Sequence, residues 1–389
     1  MAFELLFWVT LFLIIHPFIT YPLSLMLLGY IYKDDYKSQY CESFSPSVTL
    51  VISAYNEQKV IANKLNSLLE MNFDIATLEV IVTSDGSTDR THEIVNNFIA
   101  KFGARFKSIE LVVVEGRLGK TNAQNKAVER SRGDIIAFSD SNSIWEPNAL
   151  DFLVSRFKDD NVAYVSGMLK YTNHQESTTS ESESRYWEFD LYLREVESRV
   201  MSTVGGNGAI YAIRQSEYID LPPMLSHDGF MPTKVVLKGK TAKFEKRAIA
   251  TEKAGENSSD EFGRKVRMQR GQPWKKYIDI SKFNFFKFGW FSYFYFSHKY
   301  LKYCLYILHP SLFIFNIIIF NDSLIYLFSL VFQSLFYIFA ILGFFLKSKN
   351  KLMHYPFYYS MTIVAQAVSV YRTLTGKSKA TWEKAETTR

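Results

Sequence analysis

The stretch Val48-Thr49-Leu50-Val51-Ile52-Ser53-Ala54-Tyr55-Asn56-Glu57 reads as one strand and its end. Val48–Ala54 is a β-branched apolar run without alternation, the pattern of a strand covered on both faces, and Tyr55-Asn56-Glu57 stops it. Lys59–Leu69 then places Val60, Ile61, Leu65, Leu68 and Leu69 at helical spacing. Leu78–Thr83 is a second buried-type strand, broken by Ser84-Asp85-Gly86-Ser87 and followed by an amphipathic helix over Thr91–Phe102. Ile109–Val114 reads as a strand, Asn122–Arg130 as a helix, and Asp134–Ser139 as a fourth strand ending at Asp140. Strands alternating with helices through short loops predict an α/β fold, a mostly parallel sheet with helices on both faces. Such sheets bind ligands beyond the carboxyl ends of their strands, which puts Tyr55–Glu57, Asp85–Asp89 and Asp140–Asn142 on one rim.

Outside this region the apolar residues gather at the two ends of the 389-residue chain. Phe3–Tyr32 is nearly continuous and has no basic leader or small-residue cleavage site, so residues 1–33 read as a retained membrane anchor. Tyr303–Phe320 and Leu324–Leu346 read as two spans within 303–346, separated by Asn321-Asp322-Ser323. The basic run Lys347-Ser348-Lys349-Asn350-Lys351 orients them, placing residues 46–280 on the cytosolic side. Residues 281–302 mix aromatics with Lys282, Lys287, Lys299 and Lys302, the composition of an amphipathic segment at headgroup level or of an aromatic-rich core helix. Residues 353–389 hold a weaker apolar stretch, Tyr355–Tyr371, expected to lie in the interface or re-enter, and then a basic tail. The polar run Glu176–Ser184 is expected to be a mobile loop.

The overall balance is 48% hydrophobic and 22% charged, which excludes a disordered chain, a coiled coil and a pure membrane bundle. Two distant cysteines, Cys41 and Cys304, exclude a disulfide scaffold and a cysteine-rich zinc module. A net charge of +6 without any nucleic-acid module fits anionic lipid and diphosphate, not nucleic acid.

Several short motifs carry chemistry, and each also has a plain structural account. Asp85-Gly86-Ser87-Thr88-Asp89 lies between a strand and a helix, where it can cap the helix or offer a carboxylate to a ribose or base. Asp140-Ser141-Asn142 is an Asx turn, or a pair of oxygen donors for a divalent cation shared with a diphosphate. Gly119-Lys120-Thr121 lacks the upstream glycine of a P-loop, but Lys120 before a helix suits phosphate. Gly205-Gly206-Asn207-Gly208-Ala209 is a turn, or a close backbone approach to a ligand. Asp228, in His227-Asp228-Gly229, is a helix cap or a general base. Arg264, Arg267 and Arg270 share a helix face, solvated or turned to a diphosphate.

The order of these motifs is more telling than any one of them. Ser53–Glu57, Ser84–Asp89, Gly119–Asn125, Phe138–Asn142, Gly205–Arg214, His227–Gly229 and Arg264–Gly271 together resemble the membrane-bound family 2 glycosyltransferases. That family includes the synthases of hyaluronan, cellulose, chitin and poly-N-acetylglucosamine. The resemblance covers about residues 46–280 and implies a GT-A fold with inverting transfer from a nucleotide sugar, usually UDP-linked, with Mg²⁺ or Mn²⁺. Carried over by position, Asn56, Glu57 and Asp85 look like nucleoside-binding residues, and Lys120, Arg267 and Arg270 like diphosphate contacts. Asp140 and Asn142 resemble the metal-binding DxD pair, and Asp228 the catalytic base. Gly206, Asn207 and Gly208 are candidates for the acceptor side. Two departures stand out: DxD reads Asp-Ser-Asn, and the QxxRW slot ends Arg270-Gly271 without its tryptophan, a shifted alignment on Gln269 and Trp274 being broken in its spacing by Gln272-Pro273.

The expectation is thus a hexosyl-type glycosyltransferase of the cell inner (plasma) membrane, multi-pass, with a cytosolic catalytic domain. Its acceptor would be a membrane-associated polysaccharide or glycolipid, with membrane lipid close by. Three spans are few for a pore, which leaves room for an export partner or an oligomer. Single transfer to polyprenyl phosphate or a lipid-linked oligosaccharide is the nearest rival. An inactive nucleotide-sugar-binding scaffold or a transporter subunit is the rival from another class.

Overall fold

Every residue of strand β1 (Val48–Ala54) is buried, as an unbroken β-branched run requires. The computed structural model describes residues 1–33, 44–173, 178–254, 258–270, 284–347 and 350–381. Gly271 and Trp274, on which the tryptophan question turns, lie outside the described residues. The chain divides into two units: Gly29–His174 with Trp187–Ala254 and Lys379–Arg389, and Met1–Leu28 with Gln175–Tyr186 and Gly255–Ser378.

The first unit is built on one eight-stranded sheet. After β1 come α3 (Ile61–Ser67), β2 (Leu78–Asp85), α4 (Thr91–Phe102), β3 (Ser108–Val114), α5 (Lys120–Val128) and β4 (Ile135–Asp140). They are followed by β5 (Ile144–Trp145), α6 (Ala149–Ser155), β6 (Val162–Tyr171), α7 (Thr178–Val200), β7 (Ile210–Arg214), α8 (His227–Leu237) and β8 (Thr241–Glu252). The strand order is β3-β2-β1-β4-β7-β6-β8-β5. The block β3-β2-β1-β4 is parallel throughout, with Val48 level with Leu78 on one side and with Ile135 on the other. β7 then runs antiparallel between β4 and β6, and β8 returns parallel to β6. The α/β expectation holds. What periodicity did not give was the far half of the sheet, where β6 and β8 mix apolar residues with Lys170, Lys243, Lys246 and Arg247. The chain reverses its order of strand placement at β1 and β4, so their carboxyl ends open a crevice beside the ends of β2 and the loop leading into β7.

The expected loop over Glu176–Ser184 is corrected: residues from Thr178 onward are helical, the first turns of the 23-residue α7. Once Trp187, Leu191, Leu193 and Val196 are buried along a helix, each further turn costs little. Glutamate, frequent in this run, is a good helix former.

In the second unit, the N-terminal apolar stretch is two helices, α1 (Ala2–Ile15) and α2 (Thr20–Ile31), meeting at 51°. Pro17 stands in the break. Among the described residues two helices are long and apolar enough to cross a membrane, α10 (Trp290–Ile319) and α11 (Leu324–Leu346), or three spans if the bent pair is one. α10 begins well before Tyr303, so most of the aromatic segment from Trp290 onward is continuous with a span. α12 (Lys351–Leu374) is a single 24-residue helix. Polar side chains tie these helices: His309 on α10 meets the hydroxyls of Tyr337 and Tyr359 at 3.1 and 2.9 Å, and Gln366 donates to the Lys302 carbonyl at 2.8 Å.

Candidate active site

The loops at the ends of β1 and β2 are stitched together. Asn56 takes a left-handed backbone (φ +52°), which asparagine tolerates better than most residues. Its side-chain oxygen accepts from the Thr88 and Asp89 amides at 2.7 and 3.3 Å, while its own amide donates to Ser87. The Glu57 amide donates to the Thr91 hydroxyl at 2.8 Å, and Glu57 itself is buried. Asp85, also buried, accepts from the amides of Leu118 and Gly119, the latter on both oxygens. Gly86 (φ +71°) is obligatory here, since a Cβ would meet the Gly116 carbonyl at 2.5 Å. The sequence-predicted nucleoside residues Asn56, Glu57 and Asp85 thus converge on one crevice. Asn56 and Asp85 build its wall by fixing loops, and Arg117 stacks over the Tyr55 ring at 4.2 Å.

Asp85 fixes the Gly119 amide and so aims the first turn of α5. From that turn the Lys120 ammonium forms an ion pair with Asp140 at the end of β4. The loop entering β7 closes on the same point. A Cβ placed on Gly208 would lie 3.1 Å from Lys120 Nζ, 3.5 Å from Asp140 Oδ2 and 4.0 Å from Asp228 Oδ2. Lys120, Asp140 and Asp228, 108 residues apart at the extremes, therefore gather around Gly208, where a side chain would crowd the Lys120 ammonium. Gly206 is more tightly constrained, because a Cβ there would run into the buried Tyr164 hydroxyl. Its amide donates to the Asp228 carbonyl at 2.9 Å, and its carbonyl accepts from Arg194 Nη1 at 2.5 Å. Asn207 is turned inward, donating to the Gly167 carbonyl at 2.6 Å and accepting from the amides of Ala209 and Ile210. It shapes the loop that leaves Gly208 open.

Asp228 sits in the first turn of α8. Its neighbour His227 is fully enclosed and held by Tyr211, Tyr218 and Asn125, all at 3.1 Å. Burial, with help from the Lys120 charge, pushes the His227 imidazole down to about 3, so it stays neutral. Tyr218 also donates to Asn125, and Thr121 donates to the Leu225 carbonyl. The Thr121 and Asn125 side chains of α5 thus clamp the segment that carries Asp228.

Lys64 of α3 was not singled out by sequence reading. It is fully buried, donates to the Ser143 carbonyl at 2.8 Å and lies 4.9 Å over the Trp145 ring. Burial lowers its ammonium to about 7, against the pull of Asp140. The available signal was its place on the stripe Ile61, Lys64, Leu65, Leu68, where every residue is buried. Arg194 and Tyr164 had no such signal.

Arg264, Arg267 and Arg270 belong to the second unit. α9 (Ser258–Met268) packs on α12, and its Arg264 and Lys265 pair with Glu261. Among the described residues no cluster of three acidic, histidine or cysteine side chains could by itself hold a metal. Asp140 and Asn142 offer hard oxygen donors, and the Asn142 amide nitrogen points toward Glu252 at 3.5 Å. That set fits Mg²⁺ or Mn²⁺ in the usual way, with one or two protein ligands and the rest from a diphosphate.

Residues 49–216 match the family described as Glycosyl transferase family 2. They form a family 2 glycosyl transferase domain. Asp228 and the arginines of α9 lie beyond the matched stretch of this domain. The chain is 32% identical over 132 residues to a probable glycosyltransferase, YdaM, of Bacillus subtilis, covering 33% of this chain and 30% of that one. It is 28% identical over 185 residues to the glycosyltransferase AglE of Haloferax volcanii, covering 47% and 57%. The chain therefore spans from about a third to a little over half the length of these curated relatives. Among solved structures it is similar to the mannosyltransferase PcManGT of Pyrobaculum calidifontis, in complex with GDP-Man and Mn²⁺. The TM-score is 0.68 at 18% identity, over 96% of this chain and 100% of that one, which shows a shared GT-A fold.

Proposed function

We propose that this protein is an inverting, hexosyl-type membrane glycosyltransferase. It moves a sugar from a nucleotide sugar, UDP-linked in this reading, to a membrane-associated polysaccharide or glycolipid acceptor. The carrying observation is the gap over Gly208, bounded by a lysine, the DxN aspartate and a carboxylate free to serve as base.

In this reading Asn56, Glu57 and Asp85 line the nucleoside end, and Lys120 holds the diphosphate. A bound Mg²⁺ or Mn²⁺, on Asp140 and Asn142, supplies further positive charge for the leaving diphosphate. Lys120 neutralises charge on that diphosphate as the anomeric bond breaks. Asp228 takes the proton of the acceptor hydroxyl, whose oxygen attacks the anomeric carbon from the face opposite the diphosphate, inverting it. His227, neutral and locked by three partners, fixes where the Asp228 carboxylate points. The resemblance assigns Arg267 and Arg270 to the same diphosphate. The apolar helices α10 and α11 support a home in the inner (plasma) membrane, multi-pass, and the basic run after α11 supports a cytosolic catalytic domain. An export partner or an oligomer would serve a growing polymer.

The test is release of free nucleoside diphosphate by detergent-purified protein given Mn²⁺, membrane lipid extract and a panel of nucleotide sugars. Release with one donor names the sugar. Binding without release from any donor would favour the inactive-scaffold reading. The second reading, transfer of one sugar to a polyprenyl phosphate or lipid-linked oligosaccharide, rests on Arg270-Gly271 standing where processive relatives carry Arg-Trp. A product one sugar larger supports it, and a ladder of products contradicts it.

A further inference from the structure

Lys64 lies outside the motifs discussed so far, and its setting is unusual for a lysine. The side chain is wholly enclosed by α3 and β5, with the Ser143 carbonyl as hydrogen-bond acceptor and the Trp145 face as its other neighbour. Ser143 closes the turn that begins at Asp140 and passes through Asn142. Its hydroxyl lies 3.0 Å from the Asp140 carbonyl and 3.1 Å from the Ala209 carbonyl, and Trp145 Nε1 donates to that same Ala209 carbonyl at 2.9 Å. Ala209 follows Gly208. A single buried frame thus joins Lys64, the back of the Asp140–Ser143 turn and the loop that opens the gap at Gly208.

An ammonium in such a place is not needed for packing. Taking a charge out of water is costly, and apolar residues of similar volume commonly replace buried charges with no loss of stability. The charge is also close enough to Asp140 for the two to interact. We propose that Lys64 is a positioning residue of the donor site: held behind the Asp140–Ser143 turn, it fixes the Ser143 carbonyl and so presents Asp140 and Asn142 together to the diphosphate and its divalent cation. The proposal rests on the reading of Asp140 and Asn142 as that cation site.

The test is Mn²⁺ binding by the full chain in detergent, followed by the paramagnetic resonance of free Mn²⁺. It is run with whichever of UDP or GDP the wild type binds more tightly. Lys64→Met keeps the length and apolar stem of the side chain and removes both charge and donor. It is expected to weaken Mn²⁺ binding about tenfold or more, the range seen when the outer partners of metal ligands are removed. Its melting temperature should change little, because the lost contact to the Ser143 carbonyl is offset by no longer burying an ammonium. Lys64→Arg, which keeps charge and donors, should recover part of the affinity. Asp140→Asn is the control for the underlying reading. Unchanged Mn²⁺ binding in Lys64→Met, with binding lost in Asp140→Asn, overturns the role of Lys64 alone. Unchanged binding in Asp140→Asn overturns the cation site itself and this proposal with it. If neither Lys64 variant folds, the residue serves the fold and the proposal falls.

Discussion

At the β1–β2 end of the rim, Asn56 and Asp85 commit their side-chain oxygens to the amides of neighbouring loops. At the β4–β7 end, Lys120, Asp140 and Asp228 face one another across a glycine, and their polar ends point into the gap. Both ends carry an aspartate as the last residue of a parallel strand, Asp85 on β2 and Asp140 on β4. The difference teaches that a carboxylate at a strand end becomes a piece of architecture when backbone amides reach it. It becomes a reagent when only other side chains and a gap do.

Substitutions on the two ends should therefore fail in different ways. The largest effect is expected from Lys120→Met at the reaction end. Losing a preorganised charge at the leaving group should lower kcat by about 10²–10³-fold while the melting temperature barely moves, because only the ion pair with Asp140 is lost. Turnover and thermal unfolding measured on the same preparation check this. A large fall in melting temperature would erase the distinction between the two ends.

Asp85→Asn should show the reverse balance. Its one amide oxygen can replace Oδ1, which accepts from both Leu118 and Gly119, but the amide NH2 then stands in place of Oδ2 and faces the Gly119 N–H in a buried setting. The expected cost is about 1–3 kcal/mol of stability, with a higher KM for donor and a smaller change in kcat. Chemical denaturation and donor-dependence kinetics read the two effects separately.

The smallest effect sharpens the comparison through pH. His227, which steadies Asp228, is held neutral in the folded protein down to about pH 3, whereas the unfolded chain binds that proton near its usual 6.5. The unfolded state binds more protons in that window, so stability is lost as pH falls from 6.5 toward 3, by up to about 1.4 kcal/mol per pH unit. His227→Gln should flatten that slope between pH 6.5 and 5. An unchanged slope would move the acid sensitivity to another group.

Much of this was legible in the sequence because the parallel half of the sheet is apolar on both faces. Val48–Ala54 was read with the bounds it has, and Leu78–Thr83 falls short of β2 by two residues. β8 was not read, since its lysines and arginine interrupt the signal that burial writes into β1, whereas residues 162–169 of β6 carry that signal and could have been read. The break at Pro17 was visible as a proline but not as a bend, which depends on what the two helices pack against. In the site, Asp140, Lys120 and Asp228 could be found from strand ends and motif order. The inward turn of Asn207, the role of Lys64 beyond its place on an apolar stripe and the locking of His227 could not. Each of these depends on partners scores of residues away, such as Gly167 for Asn207 and Ser143 for Lys64.

The central claim is that the gap at Gly208 joins a donor-holding group to a separate base. The direct test is Asp228→Asn, with donor binding and nucleoside diphosphate release measured side by side on the donor that wild type uses. Donor affinity close to wild type with release reduced by about 10²–10⁴-fold is the predicted result. Release undiminished in Asp228→Asn would contradict the assignment of the base and with it the reading of the gap.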